Sequence, residues 1–162
     1  MTTATGTTRP VPVLGDEAAR LVQRTGIPVL LLAGQPGEAT LSATIDGDPR
    51  RYTATTATYP DGLRTEVHAP GAPDPEQLVR RALPGSDRTS PAYLATPGAM
   101  TLGVEARHDG LMARAGVWNG WTLLTVTADT NYRGPLPALR LIGAGTLPTG
   151  RPGRAFTGRT EQ

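Results

Sequence analysis

The chain has 162 residues, sixteen basic and fourteen acidic side chains, a net charge of +2, and neither cysteine nor lysine. The missing thiols exclude disulfides, thiolate metal sites and cysteine nucleophiles, and the missing lysines exclude a Schiff base or a P-loop lysine. The length suffices for one domain with a real core, while 20 glycines and 16 prolines favour short elements and many turns.

Residues 1–13 read as a flexible leader, with no basic segment followed by a long apolar stretch. Asp16 to Thr25 reads as a short helix: Ala18, Leu21, Val22 and Thr25 share one face, and Gly26 is its stop. Val29 to Ala33 is a short apolar run expected to form a buried strand, and no run is long enough to span a membrane. A cytoplasmic chain without a membrane partner is the expectation.

Four dipeptides, Asp46-Gly47, Asp61-Gly62, Asp109-Gly110 and Asn119-Gly120, punctuate apolar, Thr-rich runs. Asp-Gly and Asn-Gly suit type I′ hairpin turns, whose two central residues both need positive φ. They predict a first meander over Ala39–Ile45, Arg50–Thr58 and Leu63–Ala69, and a second over Met100–Arg107, Leu111–Trp118 and Trp121–Ala128. Between them a second helix starts at Asp74. Pro75 stands at its first position, Gln77 is placed for a capping box, and Leu78, Val79, Ala82 and Leu83 form its apolar stripe. Residues 84–99 read as a loop rich in Pro, Gly and Ser. Ala138 to Ile142 reads as a strand or one helical turn, and 148–162 as a disordered tail with Arg151, Arg154 and Arg159.

The fold class expected from this layout is α+β, with residues 14–147 forming the domain. An antiparallel sheet of about six strands, built from the two meanders, carries two short helices on one face. The helix–three strands–helix–strands order is similar in layout to secretion-chaperone-like folds, which bind other proteins; no residue-level motif accompanies the similarity.

Two-residue turns set register, so faces can be compared. Trp118 is expected opposite Trp121, Glu105 opposite Arg114, and Gly103 opposite Gly116. One face of the second meander then carries Leu102, Val104, Ala106, Leu111, Ala113, Ala115, Val117, Leu124 and Val126, a core face. The other carries Thr101, Gly103, Glu105, Met112, Arg114, Gly116, Trp118, Trp121, Leu123 and Thr125. This mixed face has aromatic walls, one charge pair and a hollow over two glycines. It is either a binding surface or core covered by a helix or by residues 135–147. In the first meander, Leu41, Ala43, Ile45, Tyr52, Ala54, Leu63, Val67 and Ala69 make the expected core face. Ser42, Thr44, Arg51, Thr53, Thr55, Arg64, Glu66 and His68 make a solvated one.

Catalytic motifs are absent from the sequence: none of Ser42, Ser86 and Ser90 lies in a Gly-x-Ser-x-Gly elbow, and Gly143-Ala-Gly145 lacks the third glycine of a dinucleotide fingerprint. His68 with Glu66, and His108 with Asp109, would supply metal ligands only if the two meanders met there. No cofactor is implied. The leading expectation is a non-enzymatic interaction module that binds a protein partner or itself through Trp118, Trp121, Leu123, Met112, Arg114, Glu105, Gly103 and Gly116. A small-molecule-binding protein or small enzyme using the same hollow, with Glu105, Arg114 or a histidine acting, is the alternative. Nucleic-acid binding through Arg80, Arg81 and the C-terminal arginines is a third reading.

Overall fold

The computed structural model describes residues 11–32, 39–47, 49–71, 73–97, 99–129 and 139–148. The elements run α1 (Val11–Thr25), β1 (Val29–Leu32), β2 (Thr40–Asp46), β3 (Arg51–Thr58), β4 (Arg64–His68), α2 (Pro75–Ala82), β5 (Ser90–Thr96), β6 (Ala99–His108), β7 (Leu111–Trp118), β8 (Trp121–Ala128) and β9 (Leu139–Ile142). The α+β class is as expected, but the sheet has seven antiparallel strands in the order β2-β3-β4-β8-β7-β6-β5. β4 pairs with β8 and joins the two meanders into one sheet. The first helix begins at Val11, five residues before the expected start. The remainder of the leader, and the tail beyond Pro148, lie outside the described residues.

Three of the four turns have both central residues at positive φ: Asp61 and Gly62, Asp109 and Gly110, Asn119 and Gly120. These are the type I′ signs that match the right-handed twist of the flanking strands. Asp46-Gly47 differs, because Asp46 remains in β2, only Gly47 has positive φ, and the connection runs to Arg50. The segment expected as a loop contains β5, Ser-Pro-Ala-Tyr-Leu-Ala-Thr, which pairs along β6 from Ser90↔Glu105 to Thr96↔Ala99. Its place at the sheet edge explains how a strand accommodates Pro91, since an outward-facing edge position needs no N–H for the ladder.

The two helices lie on opposite sides of the sheet, not on one face. α2 is capped as expected: the Asp74 side chain accepts from Gln77 N, and the Gln77 side chain accepts from Asp74 N. Leu78, Val79 and Leu83 pack on Ala106, Ala113, Ala115, Leu124 and Val126. Three alanines under the helix keep the floor flat and let it sit close.

The opposite face is covered by a second layer. β1 and β9 pair as a two-stranded antiparallel sheet, Val29↔Ile142 to Leu32↔Leu139, and α1 packs outside them through Leu14, Ala18 and Leu21. β1 hangs from the main sheet by threonines: Thr55 Oγ1 donates to Pro28 O at 2.6 Å, and Thr65 Oγ1 donates to Leu30 O. Leu32 N donates to the buried Tyr59 hydroxyl at 2.8 Å. These bonds satisfy backbone groups of a layer too narrow to pair them all within itself.

The expected faces of the first meander need one correction. The β2–β3 register shifts between Thr44 and Ile45, because Thr53 is an extra residue between Thr44↔Ala54 and Ile45↔Tyr52. A bulge of this kind reverses alternation on one side of itself. Tyr52 therefore stays with the β1-covered core, while Ala54 moves to the face of Glu66 and His68, and Thr55 becomes core, 1% exposed.

Candidate functional site

The register of the second meander is the one its turns require: Trp118↔Trp121, Gly116↔Leu123, Ala115↔Leu124, Glu105↔Arg114 and Gly103↔Gly116. The expected binding face is filled from within the chain. Trp121 is 2% exposed, Leu123, Met112 and Gly116 are buried, and Trp121 and Leu123 cluster with Ile27 and Leu30, joined by Leu139 and Leu141. Trp121 Nε1 donates to Thr146 O at 2.9 Å, which fastens the segment after β9 over the ring. Trp118 and Gly103 are half-buried. The glycine hollow is a close strand crossing, since a Cβ on Gly103 would lie 1.9 Å from the Ala115 carbonyl oxygen.

The charge pair on this face is closed on itself. Arg114 Nε donates to Glu105 Oε1 at 2.9 Å, and Arg107 Nε lies 3.3 Å from Glu105 Oε2. Arg107 also reaches Asp129 Oδ1 at 3.4 Å. With both carboxylate oxygens held by guanidinium groups, Glu105 is a half-buried counterion rather than a free base. Beside it, Asp87, Arg88, Ser90, Glu105, Ala106 and Arg107 line an open notch of about 370 Å³. Its lining is mainly polar, unlike the apolar walls typical of small-molecule pockets.

The histidines are kept apart. His68 Nε2 lies 2.6 Å from Glu66 Oε1, whose other oxygen accepts from Arg64 Nε at 2.8 Å. Burial pushes the Glu66 carboxyl up, but hydrogen bonds and positive charge from His68 and Arg64 outweigh it and hold the group below its ordinary value. His108 lies under the chain leaving α2, where a Cβ on Gly85 would meet its ring at 2.2 Å. Among the described residues, no group of three or more His, Asp or Glu side chains is placed to hold a metal ion. Arg80 pairs with Glu76 at 3.5 Å on the exposed side of α2, and Arg81 is exposed. No described helix is long and apolar enough to cross a membrane.

The feature that sequence reasoning missed is on the other face. Leu102 and Val117, expected in the core, are 62% and 50% exposed. The reason is helix length. Eight residues of α2 span about 12 Å, whereas ten residues of β6 span roughly 33 Å. The helix covers the rows Leu124–Ala115–Val104 and Val126–Ala113–Ala106, then stops. Toward the Asn119-Gly120 turn the next row holds His68, Thr122 and Val117. Leu102, paired with Tyr93, lies one residue beyond Gly103, the last residue of β6 paired to β7, and Met100 follows it on the same side of β6. Tyr93 and Met100 are also more than half exposed. Leu147 is exposed too, beside Pro148, which abuts Gly120 at the same end. All the exposed large apolar side chains among the described residues thus gather at one end of the molecule. A signal was present in the sequence: a stripe of four apolar residues in a short helix cannot roof three long strands.

No protein-family model, curated protein or solved structure matches this chain.

Proposed function

We propose that this chain is a non-enzymatic interaction module, and that its docking surface is the bare sheet end formed by Tyr93, Met100, Leu102 and Val117. The observation that carries the reading is their exposure on three consecutive strands, with Tyr93 paired to Leu102 and Val117 one residue past the Gly103↔Gly116 pair. Scattered apolar residues on a surface are ordinary, whereas a group of exposed apolar residues on neighbouring strands is an association site or a liability. The paired state of Glu105 and the mainly polar lining of the adjoining notch support binding over catalysis. The surface differs from the one expected around Trp118 and Trp121, since the latter ring already serves as the domain's own core.

Native mass spectrometry of protein purified gently from its own host tests the proposal, with wild type beside a Leu102→Ser/Val117→Ser variant. The expected result is an associated protein mass on wild type that the variant loses while its melting curve stays in place. A retained small-molecule mass, or a protein partner that the variant holds equally well, overturns it.

A further inference from the structure

We infer that the occupant of this surface is a second copy of the same chain, docked face to face about a two-fold axis that passes beside Leu102. The inference rests on the reading of the bare sheet end as an interaction surface and names its partner.

Charge comes first. Residues 89–104 are the longest stretch of the sequence without an acidic or basic side chain, sixteen residues between Arg88 and Glu105, and 115–128 is a further fourteen. With 19% charged residues overall, a sixteen-residue stretch would ordinarily carry about three. These two stretches form β5, most of β6, the second half of β7 and all of β8. A heterologous interface commonly selects its partner by complementary charges around the contact. Here Tyr93, Met100, Leu102 and Val117 offer none, and two chains of net charge +2 meet without like charges in the contact. The chemistry is self-complementary, as an isologous contact requires.

Shape agrees. α2 forms a step on the sheet, about 10–12 Å high by the diameter of a helix with its side chains. Two packed sheets stand about 10 Å apart. A second sheet end laid on the bare rows therefore fills the layer that α2 occupies on the neighbouring rows and abuts the helix. Leu102 pairs with Tyr93 on β5 and lies one residue past the Gly103↔Gly116 pair that Val117 follows on β7, so the axis is placed beside it.

Area sets the expected strength. Four side chains half exposed or more present on the order of 400 Å². That is about half of the roughly 800 Å² each partner gives to a standard interface. The expected complex is a dimer of micromolar strength, built by apolar packing and insensitive to salt.

Sedimentation velocity from about 1 to 200 μM, a range that brackets a micromolar constant, provides the test on the full chain. Wild type is expected to pass from monomer to dimer, with no change between low and high salt. Leu102→Arg, which places a cation against its own image across the axis, should weaken the dimer by about tenfold or more. Leu102→Glu should do the same, and mixing the two variants should restore a heterodimer. A monomer at every concentration overturns the inference, and so does a dimer that survives Leu102→Arg. Failure of the mixed charges to restore association refutes the two-fold placement. A monomeric wild type leaves the interaction reading to its own test, because a patch-dependent heterologous partner would still be seen by mass spectrometry.

Discussion

Trp121 and Leu102 stand on opposite faces of the same meander, and replacing each tests which face is core. Trp121 is 2% exposed, so Trp121→Ala removes a complete buried indole; such truncations cost about 3–5 kcal/mol. It also strips the donor from the Thr146 carbonyl, which costs about 1–3 kcal/mol if that oxygen is left dry. The sum, roughly 4–8 kcal/mol, is comparable with the whole stability of a domain at about 5–15 kcal/mol. Leu102 is 62% exposed. Complete burial of a leucine is worth about 1.5–3 kcal/mol, so the part of Leu102 that is covered accounts for at most about 1 kcal/mol. Leu102→Thr puts a β-branched residue suited to a strand at this position and should stay below that. At roughly 2–4 °C per kcal/mol for a chain of this size, thermal unfolding followed by circular dichroism should show Leu102→Thr within about 4 °C of wild type. Trp121→Ala should melt at least about 8 °C lower or fail to fold. Equal melting temperatures, or a larger loss for Leu102→Thr, would refute the assignment of the two faces.

Three further outcomes follow from particular contacts. Gly103→Ala drives a Cβ into the Ala115 backbone, which cannot swing aside, and should cost about 3 kcal/mol in urea unfolding; Gly85→Ala meets only the exposed His108 ring and should cost under about 1 kcal/mol. Tyr59→Phe leaves the Leu32 N–H buried without its acceptor and should cost about 1–3 kcal/mol, read by denaturant midpoint at unchanged slope. Glu66 has its folded pKa below the ordinary 4.5, so its stabilising effect is complete above that value and fades as pH falls through the folded pKa. Glu66→Gln should therefore be destabilised by about 1–3 kcal/mol at pH 7, and the gap from wild type should narrow toward pH 3; a gap independent of pH would count against the His68 and Arg64 contacts as its cause.

The local half of this fold was legible because it is written in turns. Asn119-Gly120 and Asp109-Gly110 dictate which residues face one another, and the pairs expected from them across β7 are present from Trp118↔Trp121 to Gly103↔Gly116; the further expected pair, Leu102 with Val117, is not formed as a ladder pair. β5 was hidden by its own composition, since Ser90, Pro91 and the Pro97-Gly98 that follows are loop residues everywhere except at a sheet edge. The extra residue at Thr53 has no sequence signature, so a strict period of two put Thr55 on the solvated face and assigned Ala54, which is buried as expected, to the wrong side of the sheet. The larger miss concerned what lies above each face. Nothing near Trp121 announces that Ile27 and Leu30, about ninety positions earlier, will cover it. Long-range burial follows from which layer closes over which, and a short-range pattern carries no record of that.

The pairing of β1 with β9 also gives the chain an order of events during its synthesis. Val29 and Ile142 are 113 positions apart, and Val-Leu-Leu-Leu has no strand beside it until β9 has been made. At about 5–20 residues per second the ribosome needs on the order of ten seconds to bridge that gap. For that interval a four-residue apolar strand lacks its paired strand, although Thr55 and Thr65, which bind the Pro28 and Leu30 carbonyls, follow only 27 and 35 positions after them. Aggregation of nascent chains should therefore begin at residues 29–32, and release from it should coincide with emergence of residues 139–142 from the exit tunnel.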